Sequence, residues 1–413
     1  MKERKLTYHW VIILACFLMM AASIGIVVNC FNLFSVELMS EFGYSASSVQ
    51  LICTIMTFTS FIGGIFVGKV FDRVGIRVAL PIYVVLMSGG FFFYSMCSNL
   101  TMFYILSAVV GFGICGVSLV PCGMLINNWF TDKKGLATGI AFSGSVVGGL
   151  VAVQAAKLII SASGWRSAYM ILGIASAVIL LPTTLFIVRE NPRDMGLLPL
   201  GAMPDGNEAL DEEKGISLKK YMKTGSSRLL CASFFIIGFI GLGIQNNVGI
   251  CLTKAAGHTA EFTANLFSLI MAVEIFGKII LGAIYDKKGV KFGSIYCAVL
   301  YSLAVIALIS SGNGNIAILF GVLFGLVSGI TTVTPPYLTA LICGRRDYSG
   351  IYGLIGLSYG VGASVGPVVA SKVFDVTGSF NIIWIVFGVL SLVLIATNVL
   401  AVRKGGGYSQ MVD

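Results

Sequence analysis

The sequence carries little charge. Asp, Glu, Lys and Arg together make up 11% of its 413 residues, whereas a soluble domain carries about 25%. Hydrophobic residues reach 57%, so most of the chain is unable to face water. These proportions exclude a soluble protein and indicate an all-α polytopic membrane protein, in which the backbone polar groups are satisfied inside helices.

Residues for metal, nucleotide or catalytic chemistry are also scarce. The only histidines are His9 and His258, and no pair of Cys or His has metal-ligand spacing, so no zinc or haem site is expected. No phosphate-binding loop, catalytic triad or pair of loop carboxylates is recognisable in the sequence. We therefore expect no enzyme, no cofactor and no direct use of ATP. The ten cysteines fall mostly within apolar runs and are interpreted as buried free thiols.

Long apolar runs indicate how many helices cross the membrane. Twelve runs contain at least 18 residues each, which is enough to cross a bilayer as a helix. The first run is longer than the apolar part of a signal peptide, so we expect it to be retained. The twelve runs lie at approximately 9–34, 48–70, 77–97, 101–128, 135–161, 165–188, 229–253, 260–284, 291–311, 315–343, 349–374 and 379–402.

Basic residues are unevenly distributed between the two sides of these spans. Of the 27 Lys and Arg, 22 fall on the side of the N-terminus. The positive-inside rule then predicts a multi-pass protein of the cell membrane with both termini in the cytoplasm. Contact with anionic membrane lipid accounts for the net charge of +9, so no nucleic-acid partner is expected.

One long polar stretch divides the spans into two sets of six. It contains three prolines and the acidic cluster Asp211-Glu212-Glu213, which are typical of a linker. We predict an N-terminal six-helix half at 1–188, a cytoplasmic linker at 189–228, a C-terminal six-helix half at 229–404 and a cytoplasmic tail at 405–413. Because one chain contains both halves, a monomer is expected to suffice for function.

The two halves repeat each other at a constant offset of 214 residues. The segment from Gly68 to Arg77, GKVFDRVGIR, falls on the segment from Gly282 to Lys291, GAIYDKKGVK. The offset spans six helices, an even number, so both halves begin on the same side of the membrane and form a parallel repeat. Other coincidences at this offset are Asn32 on Asn246, Asn99 on Asn313, Gly111 on Gly325, Pro121 on Pro335, Gly139 on Gly353, Gly148 on Gly362, and Gly164 on Gly378.

The first of these segments resembles the signature loop between spans 2 and 3 of the major facilitator superfamily. Residues 128–145 and 164–173 further resemble its monocarboxylate transporter and oxalate/formate antiporter branch. The resemblance implies the major facilitator fold, with twelve helices in two parallel-repeat halves. It also implies that the loop clamps the halves, with Asp72 facing the positive N-terminal end of span 11. The residues to which it assigns conformational gating are Gly68, Asp72, Arg73, Gly75, Arg77 and Asp286.

Well inside the twelve spans, the only formal charges are Glu274 and Lys278 on span 8. A charge at mid-membrane costs about 2.5–3.5 kcal/mol on insertion scales, so it faces a cavity or a partner. The i,i+4 spacing puts both side chains on one helix face. A structural ion pair would explain them, but their repeat equivalents, Ser60 and Gly64, are uncharged. We therefore predict that Glu274 exchanges a proton and Lys278 binds an anion.

The family resemblance assigns similar roles. The monocarboxylate branch carries an acidic residue and an arginine one turn apart on span 8, where this chain has Glu274 and Lys278. The span 1 lysine of proton-coupled animal members aligns with Asn32, and the span 11 lysine of oxalate/formate exchangers aligns near Tyr359. One fixed cation instead of two implies a monoanion as substrate. Asn32, Asn246 and Tyr359 complete the predicted substrate site, and helix–helix hydrogen bonding or packing explains these three residues equally well.

These features predict a secondary active transporter of a small organic anion, a monocarboxylate moved with a proton by alternating access. An anion exchanger of the oxalate/formate type would need Lys278 but no proton gradient. A proton-driven exporter of amphipathic compounds would depend on Glu274 and a Met-rich lining. A non-transporting membrane sensor is a further alternative, although it would usually carry a soluble signalling domain.

Overall fold

The computed structural model describes residues 2–202 and 215–405, apart from the side chains of residues 2–7, 32, 46–47 and 260. These ranges form helices and no strand. The α-helices are Lys2–Met20 (α1), Phe31–Phe42 (α2), Ala46–Val74 (α3), Ile76–Phe93 (α4), Leu100–Cys115 (α5), Leu119–Trp129 (α6), Lys134–Pro182 (α7), Leu218–Tyr221 (α8), Gly225–Ile250 (α9), Ala260–Ile309 (α10), Gly314–Val327 (α11), Thr334–Cys343 (α12), Tyr348–Thr377 (α13) and Asn381–Gly405 (α14). Longer spans are completed by π-helical turns at Ala21–Val28, Thr183–Ile187 and Cys251–Ala255, and by a 3-10 turn at Ser328–Thr331.

Ten helical stretches in the described ranges are long and apolar enough to cross a membrane. Two of them have double length, Lys134–Ile187 with 54 residues and Glu261–Ile309 with 49, whereas about 20 residues suffice for one crossing. Each breaks at a glycine of positive φ, Gly164 at 79° and Gly289 at 73°. Each of these two stretches therefore consists of two helices that meet at the glycine, so the ten stretches account for the twelve predicted spans.

The internal repeat extends to the backbone conformation. Three glycine pairs at the 214-residue offset share a positive φ, a conformation that side-chain-bearing residues rarely adopt. Asn99 and Asn313 likewise both cap a helix, since the side chain of each accepts a backbone N–H from the first turn of the following helix. The glycine pairs are Gly43 (67°) with Gly257 (77°), Gly75 (83°) with Gly289 (73°), and Gly164 (79°) with Gly378 (69°).

Close helix crossings repeat in the same way. A Cβ on Gly148 would overlap the backbone of Ala21, and one on Gly362 would overlap the backbone of Phe235. The two neighbours are themselves 214 residues apart. Each half therefore brings its first and fifth spans together at an equivalent glycine, as expected where small residues allow helix backbones to approach.

The described chain divides into two compact units, residues 2–132 with 140–202 and residues 133–139 with 215–405. The first six residues of α7 therefore belong to the second unit. The first unit has an aromatic core in which Phe34 stacks on Tyr169 and both rings contact Phe91. The second has an extended core of aliphatic and aromatic side chains from α9 to α14.

The predicted linker is partly described. Leu200 pairs with Trp129 in the first unit, and Ile216 pairs with Cys343 in the second. Residues 203–214, which include the acidic cluster, lie outside the described residues. The half boundaries at 188 and 229 remain predictions.

Candidate functional site

The two charges predicted on span 8 form an ion pair on α10. Nζ of Lys278 lies 2.9 Å from Oε1 of Glu274. The lysine side chain is 2% exposed and that of the glutamate 20%, so Glu274 is the more accessible partner. An ion pair with little solvent around it is screened far less than a surface pair, and it is sensitive to any further charge that approaches it.

Small residues fix the backbone that carries this pair. A Cβ on Gly277 would lie 2.6 Å from the carbonyl oxygen of Gly325 on α11, and one on Gly329 would lie 3.0 Å from Cα of Lys278. Real Cβ atoms essentially never approach as closely as the first distance, and the second is tighter than nine in ten of their contacts. The helix is therefore held against α11 and the 3-10 turn that follows it, and the position of Lys278 is set by backbone packing.

Two tyrosines of the second unit lie within electrostatic reach of the Glu274 carboxylate, namely Tyr359 on α13 and Tyr301 on α10. Tyr359 was predicted as a site residue, and its carbonyl packs against Gly238 on α9. Tyr301 was not predicted. Its side chain is fully buried, and its hydroxyl has no hydrogen-bond partner among the described residues. Nothing in the sequence distinguishes Tyr301 from other aromatic residues in apolar spans.

The asparagines of span 7 divide into two environments. Asn247 is buried, donates to the carbonyls of Gly243 and Pro367, and accepts from the Ser371 hydroxyl. It therefore ties α9 to α13 as helix–helix hydrogen bonding would require. The predicted substrate residue Asn246 is instead exposed, and both asparagines line a cavity of about 340 Å³.

Of the corresponding asparagines on span 1, only Asn29 has a described side chain. Asn32 lies in α2, but its side chain is outside the described part of the structure. Its neighbour Asn29 donates to the carbonyl of Ser145, which ties the first span to α7. Whether Asn32 belongs to a substrate site therefore remains a prediction.

Asp286, in the second copy of the signature segment, accepts two hydrogen bonds at a helix N-terminus. Its carboxylate oxygens lie 2.7 Å from the backbone nitrogens of Gly135 and Leu136, at the start of α7. A carboxylate there satisfies unpaired N–H groups and complements the positive end of the helix dipole. This contact is the one that the resemblance implies, in the other half, between Asp72 and span 11.

The same crossing of α7 with α10 is lined by glycines. A Cβ on Gly135 would overlap the carbonyl of Gly282, and a Cβ on Gly139 would overlap that of Lys278. The candidate anion-binding lysine therefore sits at the glycine crossing, two helical turns before Asp286. Within the second unit, the charged pair and the signature aspartate are carried by one helix.

In the first copy of the segment, Gly75 separates α3 from α4. Its φ of 83° ends one helix and begins the next, so glycine is required there. Asp72, Arg73 and Arg77 are exposed, and Gly68 is buried. Their gating roles remain predictions.

Side chains for metal binding do not gather in the described residues, where no group of three or more His, Cys, Asp or Glu comes together. All ten cysteines are free, and eight of them are buried.

Known proteins resemble this chain along nearly its whole length. A model of the Major Facilitator Superfamily matches residues 11–291 and 230–406. Monocarboxylate transporter 4 of Gallus gallus is 22% identical over 410 residues, which cover 96% of this chain and 84% of that protein. MFS-type transporter 1 of Ophiocordyceps sp. (strain BCC 1869) is 28% identical over 365 residues, covering 85% and 75%.

Two solved structures share the fold. The proton:xylose symporter XylE, bound to 6-bromo-6-deoxy-D-glucose, superposes with a TM-score of 0.71 at 15% identity and covers 97% of this chain and 98% of its own. The E. coli fucose:proton symporter FucP gives 0.70 at 14% identity, covering 96% and 98%. Family match, relatives and fold agree, and the chain belongs to the major facilitator superfamily, where it resembles the monocarboxylate transporters.

Proposed function

We propose that this chain is a secondary transporter that moves a small organic monoanion, specifically a monocarboxylate, together with a proton. The observation that carries the proposal is the ion pair of Glu274 and Lys278, which are 2.9 Å apart on a membrane helix. The equivalent helix of the first half has Ser60 and Gly64 at these positions. Relatives named monocarboxylate transporters support the substrate class.

The pair provides a physical basis for coupling. A substrate carboxylate that approaches Lys278 competes with Glu274 for the ammonium group. Two carboxylates around one ammonium repel each other, and this repulsion favours the uptake of a proton by Glu274. The empty site and the loaded site then carry the same net charge, so anion and proton cross the membrane without net charge movement.

Tyr301 adds a donor to this site. A buried hydroxyl without a partner costs about 1–3 kcal/mol, and Tyr301 has such a hydroxyl within electrostatic reach of Glu274. The Tyr301 hydroxyl is therefore available as a donor near the site once the substrate draws the ammonium of Lys278 away from Glu274.

The effect of substrate binding at Lys278 is transmitted along α10 to Asp286. Lys278 lies at the glycine crossing with α7, and Asp286 holds the N-terminus of α7 two turns further on. Because the backbones at this crossing are in close contact, a small shift of α10 at Lys278 strains the Asp286 hydrogen bonds. We infer that binding of the substrate in this way biases the exchange between outward and inward states. We also propose that the protein lies in the cell membrane with both termini in the cytoplasm.

Uptake into proteoliposomes tests the proposal. The full chain is reconstituted, and labelled lactate, pyruvate, formate, oxalate and benzoate are offered with and without an inward proton gradient. We expect gradient-stimulated uptake of a monocarboxylate and no uptake of oxalate. Lys278→Ala should abolish this uptake, and Glu274→Gln should abolish its stimulation by the gradient.

Other outcomes identify other functions. Uptake that requires vesicles preloaded with an anion, and ignores the proton gradient, would indicate an exchanger. Absence of uptake for every acid tested would favour an exporter of amphipathic compounds. Full gradient-stimulated uptake by both variants would contradict the assignment of Glu274 and Lys278.

A further inference from the structure

The first unit contains a cavity of about 440 Å³ between α2 and α7. Its charged residues are Glu37, half-buried on α2, and Lys157, exposed on α7. The hydrogen bond from Trp165 to Glu41 joins α7, just after its break at Gly164, to the end of α2. The cavity is lined by Leu33, Val36, Glu37, Lys157, Ile160 and Ser161.

The second unit contains a cavity of about 340 Å³ between α9 and α13. The 214-residue offset relates it to the first cavity, since Leu33, Val36, Lys157 and Ser161 fall on Asn247, Ile250, Ser371 and Asp375. The repeat has therefore formed the same cavity twice. Lys372 and Asp375, both exposed, supply its charges.

The charges of the two cavities do not follow the repeat. Each cavity has one lysine and one acidic residue, but none of the four has a charged repeat mate. The mates are Cys251 for Glu37, Ser371 for Lys157, Leu158 for Lys372 and Ser161 for Asp375. Because either half folds with an uncharged residue at each position, the fold does not require these charges. Each cavity nevertheless carries one lysine and one acidic residue, at different positions in the two halves.

The two lysines are unusual in their placement. Only five of the 27 Lys and Arg fall outside the segments on the N-terminal side. Lys278 belongs to the charged pair and Arg166 to an ion pair with Glu41, which leaves Lys157, Lys254 and Lys372. Among the described residues, neither Lys157 nor Lys372 forms an ion pair. Both cavities lie at the ends of spans that the predicted topology places on the outer face.

We propose that these two cavities are outer capture sites for small monocarboxylate anions, with Lys157 and Lys372 as the anchoring cations. Leu33, Val36 and Ile160 in one cavity, and Ile250 and Val368 in the other, provide apolar contact for a short side chain. Glu37 and Asp375 repel any anion, and they disfavour a dianion more strongly than a monoanion. Volumes of this size suit a small molecule. The assignment of the ligand rests on the proposed function.

Binding is tested first, without transport. Lysines of the full chain in nanodiscs are 13C-methylated, and the signals of Lys157, Lys372 and Lys254 are assigned with Lys→Arg variants. On titration with lactate we expect saturable shifts for Lys157 and Lys372 and none for the exposed Lys254. Flat signals for both cavity lysines, or equal shifts for all three, would overturn the proposal whatever the uptake assays give.

Uptake then tests the contribution to transport. In proteoliposomes at low salt, Lys157→Ala and Lys372→Ala should each raise the KM for external lactate about three- to tenfold with kcat retained, an effect that high salt removes. Lys157→Arg should restore the KM, and Lys254→Ala is the matched control. A KM shift in Lys254→Ala as large as in the cavity variants would contradict the capture role. Absence of uptake by the unaltered chain would contradict the proposed function alone.

Discussion

Two ion pairs in this chain differ mainly in their burial, which allows a comparison at the scale of single residues. Lys278 and Glu274 are 2% and 20% exposed, whereas Arg166 and Glu41 are 45% and 41% exposed. Removal of one partner of a buried pair costs about 3–5 kcal/mol, because the other charge stays buried. Exposed pairs contribute about 0–1 kcal/mol.

We therefore expect Glu274→Gln to lower the thermal unfolding midpoint in detergent by several degrees, and Glu41→Gln to leave it nearly unchanged. The measurement is a melting curve of each variant in the same detergent. Equal shifts in the two variants would mean that Lys278 finds solvent or another acceptor once Glu274 is gone.

Tyrosine hydroxyls provide a second comparison. The Tyr301 hydroxyl is buried without a partner in the described structure, whereas that of Tyr94 lies 2.8 Å from Oγ of Ser107. Removal of an unsatisfied buried hydroxyl is neutral or stabilising, and removal of a paired one costs about 1 kcal/mol. We expect Tyr301→Phe to keep or raise the melting midpoint and Tyr94→Phe to lower it. A marked loss of stability in Tyr301→Phe would indicate a hidden partner.

Among single residues, only those of a type that is rare inside the spans could be picked out from the sequence. Glu274 and Lys278 could be predicted because charges hardly occur inside the spans. Tyr301 could not be predicted, because aromatic residues are common in apolar runs and the sequence does not indicate which of them lies near a charged residue. Asn246 was the predicted residue, and both it and the adjacent Asn247 line a cavity; only the rotation of α9 decides that Asn247 is buried and bonds to α13 whereas Asn246 is exposed.

At the scale of elements, the crossing of α7 with α10 depends on the absence of side chains. A Cβ on Gly139 would overlap the backbone of Lys278, whereas one on Gly89 in α4 would have no neighbour within 4 Å. Overpacking costs about 1–3 kcal/mol, and Gly→Ala in an open helix position gains about 0.5–1 kcal/mol.

Gly139→Ala should therefore lower the melting midpoint and the uptake rate, while Gly89→Ala should leave uptake unchanged and stability equal or higher. Melting curves and initial uptake rates measure both effects. Normal uptake by Gly139→Ala would show that the crossing does not limit the conformational exchange.

The helices themselves followed from apolar run length, so the number of crossings could be predicted. The short connections between them could not. In α7 and in α10, two helices meet at a glycine of positive φ without a longer intervening loop. Gly164 and Gly289 were recognised as repeat positions, but the sequence gives no measure of how sharply the chain turns there.

At the scale of the whole molecule, the orientation in the membrane is the property that the basic residues predict. Exposed lysines lie at both ends of the spans, among them Lys254 after α9 and Lys288 in the second signature segment. In a background with the partly exposed Cys53 and Cys231 replaced, Lys254→Cys should react with an impermeant maleimide in intact cells. Lys288→Cys should react only after permeabilisation. The reverse labelling pattern would indicate the opposite orientation in the membrane.

The division of the molecule was the least predictable feature. Sequence composition places the boundary in the polar linker, but residues 133–139 of α7 group with the second unit. That grouping results from close contacts at Gly135 and Gly139 with α10. Such contacts join residues about 150 positions apart in the chain, and no local pattern reports them.

The placement of Lys278 and Asp286 on one helix has an evolutionary consequence. Under the proposed function, a shift of the α10 backbone that alters substrate preference at Lys278 also disturbs the crossing that Asp286 holds, so specificity and turnover would be inherited together in this half. The equivalent helix of the first half carries Ser60 and Gly64 in place of the charges and is free of this constraint. Adaptation to a faster cycle with an unchanged substrate is therefore expected to accumulate in the first half.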